Sequence, residues 1–223
     1  MTRQWLVFLS AAAMLYSCGD NEKVTRLSKR NNELQEQVRV LKTKIKKMQD
    51  SSQRLQFLAA QLEGVKAKII TNHGDIEVGF YPDKAPIHCF NFITRAEGGF
   101  YDNTQFHRIM KTFMIQGGDP NSKTDDKSSY GQGGPLTMIP HEFNDTRHEP
   151  GILSMARVSD VRMGAGCQFF IMHGSAPHLD RQYTAFGKVT KGMDVVNKIA
   201  EVETGPGDLP KQEVRIKTIE VYR

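Results

Sequence analysis

The 223-residue sequence is poor in the features that usually flag chemistry. It holds one Trp, 9% aromatic residues and three cysteines. Cys18, Cys89 and Cys167 are too few for a disulfide framework, and whether Cys89 and Cys167 pair is not readable from their spacing. There is no C-x-x-C or H-E-x-x-H, and the seven His are scattered, so no metal site is expected. No hydrophobic run is long enough to span a bilayer. The longest, residues 5–17, is a thirteen-residue uncharged stretch, against the roughly 20 residues a spanning helix needs. An excess of one charge is also missing from most of the chain. The formal net charge is +5, but residues 22–54 hold ten Lys/Arg against four acids. The remainder is near neutral, which argues against a nucleic-acid partner for the folded part.

What is present falls into three stretches. Arg3 followed by the apolar stretch of residues 5–17 reads as an export signal. Leu15-Tyr16-Ser17-Cys18 resembles the lipobox of bacterial lipoproteins, with Leu three places before the cysteine and a small residue directly before it. The resemblance implies a signal peptide over residues 1–17, a lipid on Cys18 and a short linker to residue 22. It places the mature protein on a membrane of the bacterial cell envelope, on the periplasmic side or at the outer membrane.

Residues 23–63 form the second stretch. Val24, Asn31, Val38, Ile45, Ser52 and Ala59 alternate with Leu27, Leu34, Leu41, Met48, Leu55 and Leu62 in an unbroken heptad pattern without Gly or Pro. A coiled-coil stalk is the expectation, with β-branched residues opposite Leu favouring a parallel homodimer through residues 24–62. The alternative is a single amphipathic helix. At ~1.5 Å per residue the stalk would be roughly 58 Å long, and Gly64 is placed to end it.

Beyond Gly64 the period changes to two. Ile76, Val78 and Phe80 alternate with Glu77 and Gly79 after an Asn72-His73-Gly74-Asp75 turn, which reads as a strand at a hairpin. Residues 86–96 carry Ile87, Phe90 and Ile93 at helical spacing behind Pro86, and residues 193–202 also look helical. Residues 151–156, 168–172, 184–187 and 214–221 read as short strands. This mainly β pattern with two helices suggests a closed antiparallel barrel.

Five blocks in this third stretch, residues 64–223, then identify a family. They are Tyr101-Asp102-Asn103-Thr104 leading to Phe106-His107-Arg108 and Phe113-Met114-Ile115-Gln116-Gly117-Gly118-Asp119; Pro150-Gly151-Ile152-Leu153-Ser154-Met155-Ala156; Gln168-Phe169-Phe170-Ile171; Leu179-Asp180; and Phe186-Gly187-Lys188-Val189. In this order they resemble the cyclophilin-type peptidyl-prolyl cis-trans isomerases. The resemblance implies an eight-stranded antiparallel β-barrel capped by two helices, X-Pro rotation in exported proteins and assistance to their folding. The partners are then proline-containing polypeptides, and no cofactor is implied.

The same resemblance assigns roles. Arg108 is the donor to the twisted imide, with Phe113 and Gln116 beside it as catalytic residues. Met114, Phe170 and Leu179 join Phe113 in an apolar proline socket. Gln168 orients the substrate with Gln116, and the backbone at Ala156 and Arg157 pairs with the extended peptide. His178 stands where eukaryotic members often have Trp, and Tyr183 where the family has His, so weak cyclosporin binding is implied. His107 is assigned structure, on the argument that neighbours on a strand face opposite sides. The loops at residues 120–132 and 157–166 look extended relative to many members.

Overall fold

The computed structural model describes the backbone of residues 5–135 and 137–223 and the side chains of residues 21–135 and 137–223. The expected lipobox and lipid-bearing Cys18 therefore lie outside the described side chains. Among the described residues no helix is long and apolar enough to cross a membrane.

Two compact units divide the chain, Met1–Gln53 and Arg54–Arg223. The first unit is helix throughout its described length, part of α1 (Trp5–Leu62). Its heptad residues Val24, Leu27, Leu34, Val38, Leu41, Ile45 and Met48 are 45% to 64% exposed on the single chain. The ion pairs Arg30–Glu33 and Arg39–Glu36 lie along the exposed surface and add little stability.

The second unit contains the last turns of α1. Leu58 and Leu62 pack into the domain core, Leu62 being 8% exposed. The left-handed φ of +75° at Gly64 then ends the helix. The strands are β1 (Lys66–Thr71), β2 (Asp75–Phe80), β3 (Arg108–Met110), β4 (Met114–Gly117), β5 (Ile152–Arg157), β6 (Ala165–Met172), β7 (Thr184–Lys191) and β8 (Ile216–Tyr222). They form one eight-stranded antiparallel sheet in the order β3-β4-β6-β5-β7-β2-β1-β8. At the ends of this order β3 and β8 share no ladder. Their flanking residues meet at an isolated Gln105–Arg215 bridge, where Phe106 N–H donates to Val214 O and Ile216 N–H to Thr104 O, both at 2.8 Å.

Alternation explains which face is buried. Ile69, Ile76, Val78, Ile115 and Ile171 are fully buried, and their neighbours in sequence face outward or into a second, smaller apolar cluster. Phe92 of α2 (Pro86–Glu97) sits among Tyr101, Phe169 and Phe186, with the Phe169 ring edge-on at 5.2 Å. Aromatic rings of this size each bury ~150 to 250 Å², so this cluster anchors α2 to the sheet. Pro86 opens α2. The Glu142 carboxylate then accepts the Ile87 and His88 amides at 3.1 and 2.9 Å and meets His88 Nδ1 at 2.7 Å. The other helix, α3 (Met193–Ala200), buries Val196, Ile199 and Ala200. Cys89 and Cys167 are free and buried, and burial pushes their thiols up to about 12 and about 11.

Candidate active site

The short hairpin β3–β4 sets the site. Its register pairs Arg108 with Gln116, and β4 against β6 pairs Gln116 with Phe170. Cross-strand partners share a face, so these three side chains line up on the side of the sheet away from the main core. Met114 and Gln168, each two residues along, fall on the same side. Gly118 turns the chain out of β4 with φ +80°, and a Cβ there would lie 2.8 Å from the Phe169 ring. Only glycine fits that corner without a shift.

On this face Met114, Ile152, Phe170, Met172, Ala176, Leu179 and Ala185 form the second apolar cluster, with Phe113, Ala156 and Tyr183 packed against it. Above it is a cavity of about 360 Å³, lined by Arg108, Phe113, Met114, Gln116, Ala156, Arg157, Phe170, Leu179 and Tyr183. Nine of the residues that the sequence marked thus converge from β3, the β3–β4 turn, β4, β5, β6 and the segment before β7. Two do not line it. Gln168 lies alongside, accepting from Gln116 Nε2 at 2.9 Å. His178 is exposed and stacks on Phe113 at 5.9 Å between ring centroids.

Arg108 is held from two sides. Its Nε donates to Asp208 Oδ2 at 3.2 Å, and an Nη lies 3.1 Å from Met110 Sδ. Gln168 Nε2 donates to the carbonyls of Gly131 and Gly133 at 3.0 and 2.7 Å, tying the loop of residues 120–132 to the site. Buried Asp119 pins the same loop, accepting from the Asn121 amide at 2.8 Å and from the Gly131 amide.

β5, an interior strand, is irregular at its C-terminal end. Its ladder with β6 shifts register between Met155 and Arg157, and its ladder with β7 ends at Met155–Thr184. Ala156 therefore has no ladder partner on either neighbour, which is the signature of a bulge re-aiming the backbone.

Behind Phe170 lies a buried polar chain. His148 stacks on the Phe170 ring at 6.2 Å, places Nδ1 3.1 Å from Asp180 Oδ1 and Nε2 3.0 Å from the Ser154 hydroxyl. Burial lowers the His148 pKa despite Asp180. The neutral ring then donates from Nδ1 and accepts from Ser154 at Nε2, a tautomer assigned from these partners.

The opposite-face argument for His107 does not apply. β3 begins at Arg108, so His107 precedes the alternation, and the structure places it on the cavity wall at 5% exposure. Burial lowers its pKa, with Asp119 opposing. Tyr130, Gly131, Gly207 and Asp208 also escaped the sequence reading. The first three line the cavity, and Asp208 holds Arg108 from a 3₁₀ turn, Pro206–Asp208, at a positive φ of 60°.

The fold agrees with the comparisons to known proteins. The profile of the family described as cyclophilin type peptidyl-prolyl cis-trans isomerase/CLD matches residues 66–221, and the chain belongs to that family. It is 43% identical over 162 residues to peptidyl-prolyl cis-trans isomerase-like 2 of Rhizopus delemar, covering 70% of this chain and 28% of that one. It is 39% identical over 158 residues to peptidyl-prolyl cis-trans isomerase CYP18-1 of Arabidopsis thaliana, covering 68% and 92%. Relatives thus differ widely in length, and this chain spans 28% and 42% of two of them. A crystal structure of a cyclophilin type peptidyl-prolyl cis-trans isomerase from Cryptosporidium parvum, determined in the presence of the dipeptide Ala-Pro, superposes with TM-score 0.65 at 33% identity. It covers 71% of this chain and 99% of that one.

Proposed function

We propose that the protein is a peptidyl-prolyl cis-trans isomerase acting on exported proteins, tethered to a membrane of the cell envelope by a lipid on Cys18 and held away from it by a dimeric coil. The carrying observation is one guanidinium, Arg108, beside an apolar floor made by Phe113, Met114 and Phe170.

Rotation about an X-Pro bond breaks amide resonance and faces a barrier of ~18 to 20 kcal/mol. No covalent bond is made or broken, so catalysis requires only that the twisted state be bound more tightly than either planar isomer. As the bond twists, the imide nitrogen becomes pyramidal and its lone pair, no longer shared with the carbonyl, is localised on it. A permanently charged guanidinium beside it donates a hydrogen bond that the planar isomers cannot accept. The pyrrolidine ring rests on Phe113, Met114, Phe170 and Leu179. Gln116, the unpaired backbone at Ala156 and the adjoining Arg157 hold the flanking chain, so that rotation is confined to one bond. The Ala-Pro dipeptide used with the Cryptosporidium parvum relative is consistent with this ligand class.

Slow refolding limited by X-Pro isomerisation takes tens to hundreds of seconds uncatalysed. Adding the full chain to a model protein with such a phase should shorten it in proportion to the chain's concentration. Binding of proline peptides with no change in that phase would instead support a scaffold.

The location and assembly rest on sequence. Apolar heptad residues exposed on the single chain support a second copy as their partner. Sedimentation of the mature chain with and without residues 23–53 tests this; a monomer in both cases removes the dimer. Mass spectrometry of the mature N-terminus tests the lipid: an unacylated Cys18, or cleavage elsewhere, removes the anchor.

A further inference from the structure

The second cationic side chain at the site lacks the ion-pair partner that Arg108 has. A cavity of about 350 Å³ adjoins the first, and Gln116, Gly131, Ala156 and Arg157 line both. Arg157 thus stands on the ridge between them, and a polypeptide running from one cavity into the other must pass it. Its guanidinium is well fixed. Nε donates to Gln182 O at 2.9 Å, one Nη donates to the carbonyls of Val158 and Ser159 at 3.0 and 3.3 Å, and the group lies 4.5 Å above the Tyr183 ring.

All these partners are neutral. Among the described residues no carboxylate lies within ion-pair distance of Arg157, whereas Arg108 faces Asp208 and Arg162 faces Asp160. Among the described residues no Asp or Glu lines either cavity. His141, whose pKa is lowered chiefly by burial and further by the guanidinium of Arg157, adds no compensating charge. A planar guanidinium with its remaining Nη hydrogens uncommitted is suited to a carboxylate.

We propose that Arg157 is a specificity-determining residue that selects X-Pro segments carrying an acidic side chain within two residues of the proline. This rests on the isomerase reading, since it is the proline that fixes the segment in the first cavity. One charge pair near a protein surface corresponds to a preference of roughly threefold to tenfold, weakened by salt.

The test compares kcat/KM on matched peptides with Glu or Gln at each of the two positions before and after the proline. Because each protein is scored by its own Glu/Gln ratio, any general loss of activity in a variant cancels. The full-length wild type should give a ratio of roughly threefold to tenfold at one position, falling towards one between 50 mM and 500 mM salt. Arg157→Gln should bring that ratio to one, and Arg157→Lys should retain part of it. A wild-type ratio near one at all four positions overturns the inference while leaving the isomerase reading intact. So does a ratio that survives in Arg157→Gln. If Arg157→Gln does not fold, the salt series on wild type decides alone, with a salt-independent ratio counting against Arg157. A wild type inactive on every peptide overturns the isomerase reading and this inference with it.

Discussion

Arg108 and Asp208, 100 residues apart in the chain, meet at 3.2 Å, with the Arg108 Nε donating to the Asp208 carboxylate. Asp208 holds a left-handed φ of 60° to do so. That conformation is tolerated by Asp and Asn and costs other L residues ~1 to 2 kcal/mol. The pair is partly exposed, at 42% and 39%, and contributes little to stability. Its effect is to fix the guanidinium edge that faces the cavity.

Asp208→Asn keeps the backbone and an acceptor but removes the charge. Its kcat/KM on an X-Pro peptide should fall roughly threefold to tenfold, the effect of loosening one charged hydrogen bond, with the midpoint of thermal unfolding nearly unchanged. Asp208→Ala should lose activity at least as much and also lower the midpoint. Full activity in both variants would show that Arg108 orients itself without Asp208.

Glu142 tests the fold apart from the site. It accepts two amides at the start of α2 and the His88 ring, and His88 is fully buried. Glu142→Ala leaves all three donors unpaired, so a loss of about 2 to 4 kcal/mol in chemical denaturation is expected. Activity at a temperature where the variant remains folded should be close to wild type.

Acidification should destabilise the domain earlier than carboxylate protonation alone would. His148 and His107 both have folded pKa values below the ordinary 6.5, burial being the main cause. The unfolded chain therefore binds protons first as pH falls. The stability these neutral rings contribute is complete above about pH 6.5 and drains away below it, down to the depressed folded values. Asp180 is shifted down chiefly by the His148 amide, so its contribution persists until pH falls below the ordinary 3.8. Denaturant unfolding at pH 7.5, 6.5, 5.5 and 5.0 should show stability declining across the series. His148→Gln, which removes one of these protonation sites, should flatten the decline.

Much of the fold is written in local pattern. Pro86 with its helical spacing marks α2, the turn at residues 72–75 marks the β1–β2 hairpin, and alternation marks β2. Strands β3 and β4, three and four residues long, are too short to show a period. The bulge at Ala156 depends on two neighbours at once, which no linear pattern encodes. The site divides in the same way. Arg108, Phe113, Met114 and Gln116 sit in one sequence block, while Asp208 reaches Arg108 only through tertiary folding. Alternation says nothing of His107, which lies one residue outside β3. Leu62 shows a related ambiguity: an apolar heptad position looks the same whether it faces another helix or the domain core that buries it here.

In the proposed mechanism Arg108 lowers the barrier to rotation. Exchange spectroscopy by nuclear magnetic resonance measures cis–trans interconversion of an X-Pro peptide directly, without a coupled protease or a refolding client. Catalytic amounts of the wild-type chain should produce exchange cross-peaks on a sub-second timescale. Arg108→Ala should reduce the catalysed rate by roughly a hundredfold, the scale of losing a charged donor of ~2.7 kcal/mol to the transition state. An Arg108→Ala protein that still folds and drives exchange at the wild-type rate would contradict the account.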